Sequence, residues 1–415
     1  MQKRVRNIGF GAACAALLLL GGGYFTSCSD DDDDVIVPLY DTDVEAGVLT
    51  DGALTTEKKT VSAPETAGTI TVTIDDTQKY SGTSIADAWD AFRDTASGII
   101  VVSLGKGTYT YTSPKTDSTD AKDNLTYKGA ASITIKGEGD AAYGLDVLIK
   151  GHGSKMDKES TRSLMSFQGT ANVVLENLTL ENSHWNTAGD AQSETLGVGS
   201  SAFTGTIAAY NCSFLSGQDT ICTLGKAWFY KCYIQGDVDF LWMETKGGVV
   251  ALYEECVIRA INDRVKSAYF TAPRLQIKDK VGKGLVIFNS TLEVEDGVDA
   301  YLGRNPWASG DSAKSYYQQV AIIGTKLYGS LNAAIWKGSA NGTVYQRYVG
   351  YKTDDHFAAS TAGIGTRIGK ELVSQEYSDR NVILNRLVDT ETLSFVDDTD
   401  AAWDVDALKT ANNWD

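Results

Sequence analysis

Residues 211–242, NCSFLSGQDTICTLGKAWFYKCYIQGDVDFLW, decide the fold, because they carry one pattern twice. Asn211-Cys212-Ser213-Phe214 leads to Gln218-Asp219-Thr220, and Lys231-Cys232-Tyr233-Ile234 leads to Val238-Asp239-Phe240. Asn211 to Lys231 and Asp219 to Asp239 are both intervals of 20 residues. If this unit is one turn of a solenoid, equal phases superpose and the two aspartates stack on adjacent rungs.

The pattern continues on both sides. Asn177-Leu178-Thr179-Leu180, Glu255-Cys256-Val257-Ile258, Asn289-Ser290-Thr291-Leu292 and Gly324-Thr325-Lys326-Leu327 hold the same place. Apolar runs such as Val173–Leu175, Trp228–Tyr230, Val249–Tyr253 and Leu285–Phe288 precede them. Starting from Asn177, the intervals are 34, 20, 24, 34 and 35 residues. A unit of that size, with loops inserted in some turns, predicts an all-β chain folded as a parallel β-helix. Leucine-rich repeats share the period but not the leucine and asparagine pattern, and a β-sandwich does not hold so constant a unit. The 41 glycines, only 5 prolines and many Val, Ile, Thr and Tyr residues agree with short strands joined by turns.

Charge and rare residues narrow the function. A net charge of −17 excludes nucleic acid as a partner, and repels a strongly anionic polymer unless the site is locally basic or the polymer is neutralised. The histidines, His152, His184 and His356, are scattered in sequence, which argues against a His-based zinc site or triad. Six cysteines contain no CxxC pair, which argues against a metal cluster or redox motif. Cys212, Cys232 and Cys256 share one repeat position and read as stacked small core residues.

The N-terminus reads as an address. Lys3, Arg4 and Arg6 precede an apolar run from Ile8 to Gly23, so residues 1–27 are expected to be a signal peptide. Thr26-Ser27-Cys28 resembles the lipobox of bacterial lipoproteins, with Cys28 as the lipidated residue, and Asp30–Asp34 resembles an acidic surface-export tag. The expected location is therefore the outer membrane, cell-surface exposed and held by a lipid anchor alone. Residues 28–65 read as an acidic flexible tether and 66–350 as the catalytic β-helix. Residues 351–415 read as a C-terminal segment packing on that helix. Ser84-Ile85-Ala86-Asp87 has the form of a capping box, with Ile85, Ala88, Trp89 and Phe92 on one helical face and Gly98 as the stop. This short helix is the expected N-terminal cap of the solenoid.

Parallel neighbours lie about 4.8 Å apart, so Asp219 and Asp239 would be close to contact. Two carboxylates that close cannot ionise independently; one holds its proton and serves as acid, the other stays charged as nucleophile or base. Asp237 reads as a turn residue.

Gly217-Gln218-Asp219-Thr220, Gly236-Asp237-Val238-Asp239-Phe240-Leu241-Trp242 and Tyr301-Leu302-Gly303-Arg304-Asn305-Pro306-Trp307, in that order, resemble the signatures of pectin methylesterases (pectinesterases). The resemblance implies a right-handed parallel β-helix that hydrolyses methyl esters of homogalacturonan (pectin) to pectate and methanol, without a cofactor or metal. By motif, it implies Asp239 as nucleophile, Asp219 as acid and base, Gln218 as oxyanion donor and Arg304 as partner of Asp239. Gln192, in a stretch similar to the family's QxExL, would be the second oxyanion glutamine. Phe240, Trp242, Trp307 and Arg274 would lie on the substrate side, and the chain would act as a monomer. The sequence departs from the family at Met243, at the inserted Asn305 and at Ile221-Cys222, all bordering the cleft, which leaves the accepted ester open. Two alternatives stand beside this reading: a calcium-dependent pectate lyase-like β-helix and a non-catalytic glycan-binding β-helix.

Overall fold

The structure, a computed structural model, describes residues 24–27, 35–38, 59–112, 124–153, 162–186, 192–198, 205–244, 249–262, 267–276, 280–281, 283–304, 316–323, 325–333, 336–337, 345–349, 379–389, 395–397 and 403–415. Cys28 and Trp307 lie outside them, as does most of the expected tether.

Three parallel sheets run along a solenoid, and each rung contributes one strand to each sheet. The rung holding Asp219 is Thr206–Tyr210, Ser213–Leu215 and Ile221–Thr223. The next, holding Asp239, is Lys226–Tyr230, Tyr233–Gly236 and Leu241–Glu244. The second sheet has eight strands among the described residues, from Gly107–Tyr111 to Lys326–Tyr328.

Alternate residues of each strand point inward and form apolar columns. In the first sheet the column is Ile133, Val173, Ile207, Ala227, Ala251, Leu285 and Val320. In the second it is Ile149, Leu180, Phe214, Ile234, Ile258, Leu292 and Leu327. In the third, Leu125, Met165, Leu196, Ile221 and Leu241 stack in register. Each full Leu or Ile burial is worth about 1.5–3 kcal/mol, so the columns hold the rungs together.

One corner fixes the repeat. Asn177, Asn211, Lys231, Glu255 and Asn289, which directly follow first-sheet strands, have φ of 54°, 49°, 51°, 51° and 48°. A single left-handed residue turns the chain from the first sheet into the second, and asparagine tolerates that region best among non-glycine residues. Cys212, Cys232 and Cys256 follow this corner and stack inside as expected. Cys232 Sγ donates to the carbonyl of Ala209 at 3.4 Å and Cys256 Sγ to that of Phe229 at 3.3 Å.

The N-terminal end is closed by the helix Ile85–Asp90, with Ser84 accepting the Asp87 N–H at its start. Trp89 and Phe92 are buried beneath it, and Trp89 Nε1 donates to the carbonyl of Thr126 at 3.1 Å. The helix stops at Asp90, well before Gly98, because residues 91–94 form turns that carry Phe92 inward. On the outer side of the first sheet, the helices Arg380–Asn385 and Val405–Asn412 bury Ile383, Leu384, Val405 and Trp414 against Trp228, Val250 and Leu252.

Candidate active site

The second left-handed corner lies between the second and third sheets, and the paired aspartates occupy it. Asp219 has φ 60° and Asp239 φ 53°. Holding a side chain there costs roughly 1–2 kcal/mol per residue, a strain that sheets on either side of the corner sustain. The Asp219 N–H donates to the carbonyl of Val238 at 2.9 Å, Ile221 N–H to that of Phe240 at 3.0 Å, and the Thr220 hydroxyl to that of Gln235 at 2.9 Å. Gly236 is required nearby, since a Cβ there would lie 2.7 Å from the Gly217 carbonyl and would also collide with Phe240 and Thr220.

Arginines reach the aspartates from opposite directions along the solenoid. Arg304, two rungs beyond Asp239, donates Nε to Oδ1 at 2.7 Å and Nη2 to Oδ2 at 2.6 Å. Its guanidinium lies 4.3 Å from the ring centroid of Tyr269, which stacks in turn on Tyr301 at 5.4 Å. Arg162, two rungs before Asp219, places Nη2 3.3 Å from Asp219 Oδ2. The same guanidinium donates Nε to Glu194 Oε1 at 2.5 Å and lies 4.8 Å from the ring centroid of Trp242. Asp219 is 1% exposed, Asp239 4% and Glu194 0%.

Burial pushes the Asp219 carboxyl well above the ordinary carboxylate range, and the neighbouring Glu194 and Asp239 carboxylates push the same way. Arg162 and Arg304 pull against them without reversing the shift. Asp219 is thus the proton-bearing member of the pair, while Asp239 sits in a bidentate guanidinium clamp that favours its charged form. One buried proton donor beside one charge-paired carboxylate can perform acid–base and nucleophilic chemistry in a single pocket.

The remaining sequence candidates fall into place unevenly. Gln218 is half-buried on the corner, and its carbonyl accepts the N–H of Ser193 at 3.3 Å. That contact sets Gln192, also half-buried, on the adjacent rung at the same corner. Arg274 lies in the strand Ser267–Gln276 in register with Glu244, but its side chain is outside the described residues, as is all of Trp307. Asp237 is a turn residue, though a buried one, accepting the Val238 N–H at 2.5 Å.

One expectation needs correction. Phe240 is wholly buried in the main core, 5.1 Å from Phe270, so it faces the interior rather than substrate. It follows the left-handed corner directly, and Leu241 after it is interior as well, so simple alternation fails there. Trp242 faces outward beside the site, 6% exposed, with the Arg162 guanidinium 4.8 Å from its ring centroid. Two of the histidines, His152 and His184, are closer than their numbers suggest, and His356 lies outside the described residues. Adjacent second-sheet strands pair Gly151 with Asn182, which brings the His152 and His184 rings to 4.6 Å. Sequence reasoning did not assign Arg162, Glu194 or Tyr269 to the site; for Glu194 the available signal was its place in the QxExL-like stretch that holds Gln192.

Fold and site together define a parallel β-helix protein with an arginine-clamped pair of carboxylates on one corner. The chain belongs to the pectinesterase family, whose profile matches residues 69–353. Among relatives, Pectinesterase 31 of Arabidopsis thaliana is 33% identical over 137 residues, 32% of this chain and 38% of the relative, so the match spans well under half of that protein. Among solved structures, the pectin methylesterase from carrot is similar with TM-score 0.53 and 17% identity, covering 77% of this chain and 93% of that one. The pectin methylesterase from Erwinia chrysanthemi is similar with TM-score 0.51 and 19% identity, covering 72% and 92%. These structural likenesses establish the right-handed parallel β-helix.

Proposed function

We propose that the chain hydrolyses methyl esters of homogalacturonan to pectate and methanol, with Asp239 and Asp219 as its working carboxylates. The observation that carries this reading is the Asp239 carboxylate held by both arms of Arg304, with the buried Asp219 at the same corner of the adjacent rung. In the first half, an Asp239 oxygen attacks the ester carbonyl carbon. Gln218, with Gln192 beside it, donates to the oxyanion; one such donor typically lowers the barrier by about 3 kcal/mol. The carbon–methoxy bond then breaks as Asp219 passes its proton to the methoxy oxygen. In the second half, Asp219, now a carboxylate, takes a proton from water as that water attacks the acyl carbon. The bond to Asp239 breaks, freeing the acid product and restoring both aspartates. A methylated polymer is partly neutral, which reconciles the substrate with a chain of net charge −17.

Methanol release from highly methylated pectin, measured with a chelator present, tests the reading. Release that persists with chelator and is lost in Asp239→Asn supports it; ultraviolet-absorbing unsaturated products that vanish with chelator would identify a lyase instead. Retained pectin binding with neither product would identify a glycan-binding β-helix.

The N-terminal sequence supports a second element of the proposal, a lipoprotein carried on the cell surface through Cys28 and its acidic tether. Metabolic labelling with a fatty acid tests it: incorporation lost in Cys28→Ala supports the anchor, and label unaffected by that change sinks it.

A further inference from the structure

We propose that Arg162 and Glu194 are a positioning pair that governs when Asp219 holds its proton, with Arg162 serving as counter-charge once that proton has left. This rests on the esterase reading above. Arg162 lies outside the sequence motifs and Glu194 within the QxExL-like stretch that holds Gln192, and the pair is built into the site from two rungs: Arg162 precedes the strand Ser163–Phe167, and Glu194 opens the strand Glu194–Val198, which pairs with it in register.

The geometry shows what holds the arginine and what it leaves for Asp219. Nε and Nη2 both engage Glu194, the carboxylate of which also accepts the Ser163 hydroxyl at 3.4 Å. The guanidinium plane rests over Trp242. Only after these contacts does Nη2 stand 3.3 Å from Asp219 Oδ2, longer than the roughly 2.7–2.9 Å of a full charge-assisted hydrogen bond. Burying two opposite charges costs several kcal/mol per ion unless each is well paired, and an apolar pair would fill the volume as well. A buried ion pair aimed at the proton donor is therefore accounted for by what it does to that donor.

Among the described residues, the charged groups acting on Asp219 are Glu194, Asp239, Arg162 and Arg304. Arg304 is committed to Asp239 by two short hydrogen bonds, so the counter-charge adjustable toward Asp219 is Arg162. While Asp219 carries its proton, Glu194 absorbs most of the guanidinium charge, and the proton is kept. When the proton leaves with methanol, a full negative charge appears on Asp219, and the contact at Nη2 can shorten. The carboxylate is then stabilised for the half of the reaction in which it draws a proton from water. An arginine without Glu194 would strip the proton too early; a glutamate without Arg162 would leave no counter-charge for the base.

Opposite pH shifts test the pair. The alkaline limb of kcat/KM for methanol release reports loss of the Asp219 proton. Arg162→Gln is expected to move that limb upward by roughly one pH unit or more, and Glu194→Gln to move it downward by a similar amount. The double variant is expected to return close to wild type. Infrared titration of the Asp219 carboxyl band, assigned by its loss in Asp219→Asn, reads the same shifts without turnover. If wild type released no methanol, the esterase reading would fail while the infrared shifts still decided this one; if Arg162→Gln did not fold, the downward shift in Glu194→Gln would decide it. Rates that fall in the single variants while the limb and the carboxyl band stay at their wild-type positions overturn the proposal.

Discussion

Arg304 grips Asp239 with two parallel hydrogen bonds of 2.7 and 2.6 Å across 65 residues of chain. The solenoid makes this contact possible, because two rungs separate the groups by only about 10 Å of stacking distance. A fork of two N–H donors matches both carboxylate oxygens, which a lysine ammonium cannot do. Arg304→Lys retains the charge but loses one charge-assisted hydrogen bond and the stack over Tyr269. A loss of about 2 kcal/mol follows, or roughly a thirtyfold fall in kcat, with the fold intact. Steady-state methanol release together with a thermal melt checks this; a kcat within twofold of wild type would refute the clamp.

Asp219 also makes stability depend on pH, with a sign that can be worked out. Its folded carboxyl binds a proton more tightly than an unfolded aspartate, near pH 3.9, because it is buried beside Glu194 and Asp239. The folded chain therefore holds the extra proton above that pH. The stability associated with the neutral group is intact below about pH 4 and is lost as pH rises through the raised folded value. Asp219→Asn is neutral at every pH and escapes that loss. Its stability relative to wild type is expected to climb by up to about 1.4 kcal/mol per pH unit between about pH 4 and the raised folded value and to level off above it, while methanol release is abolished. Urea denaturation at mildly acidic and mildly alkaline pH reads the difference, and a gap that does not widen with pH contradicts the assignment.

How far the sequence discloses this molecule depends on where information is local. Asn177, Asn211 and Asn289 reveal the repeat because a left-handed corner selects asparagine, and Lys231 and Glu255 are recognised only by phase with them. Asp219 and Asp239 are legible for the same reason: one corner recurs one rung later with the same residue. Phe240 is misread because a left-handed residue resets the alternation that an unbroken strand would keep. The contact of Trp242 with Arg162 is not legible because that arginine comes from far earlier in the chain, beyond any local pattern. Arg162 itself is invisible as a site residue until the rungs are stacked, since nothing in its own stretch distinguishes it from a surface arginine.

The C-terminal helices supply a control in which stability and activity separate. Trp414 is 4% exposed, stacks on Tyr210 at 4.9 Å and meets Trp228 at 5.8 Å, on the outer side of the first sheet. Beside it, Arg380 donates Nη2 to Glu254 Oε1 at 2.7 Å and Nε to the same oxygen at 3.0 Å, tying the first of these helices to the solenoid. The aspartate corner lies between the other two sheets, so none of these contacts touches the reacting groups. Trp414→Ala leaves a cavity between the last helix and the sheet, at a cost of about 3 kcal/mol. Because the corner backbone is held by rung-to-rung hydrogen bonds, kcat at a temperature where the variant stays folded is expected to match wild type. Denaturant unfolding and initial rates on the same preparations test both halves: an unchanged unfolding midpoint would mean that the helix does not brace the sheet, and a large fall in kcat would mean that it does more than brace.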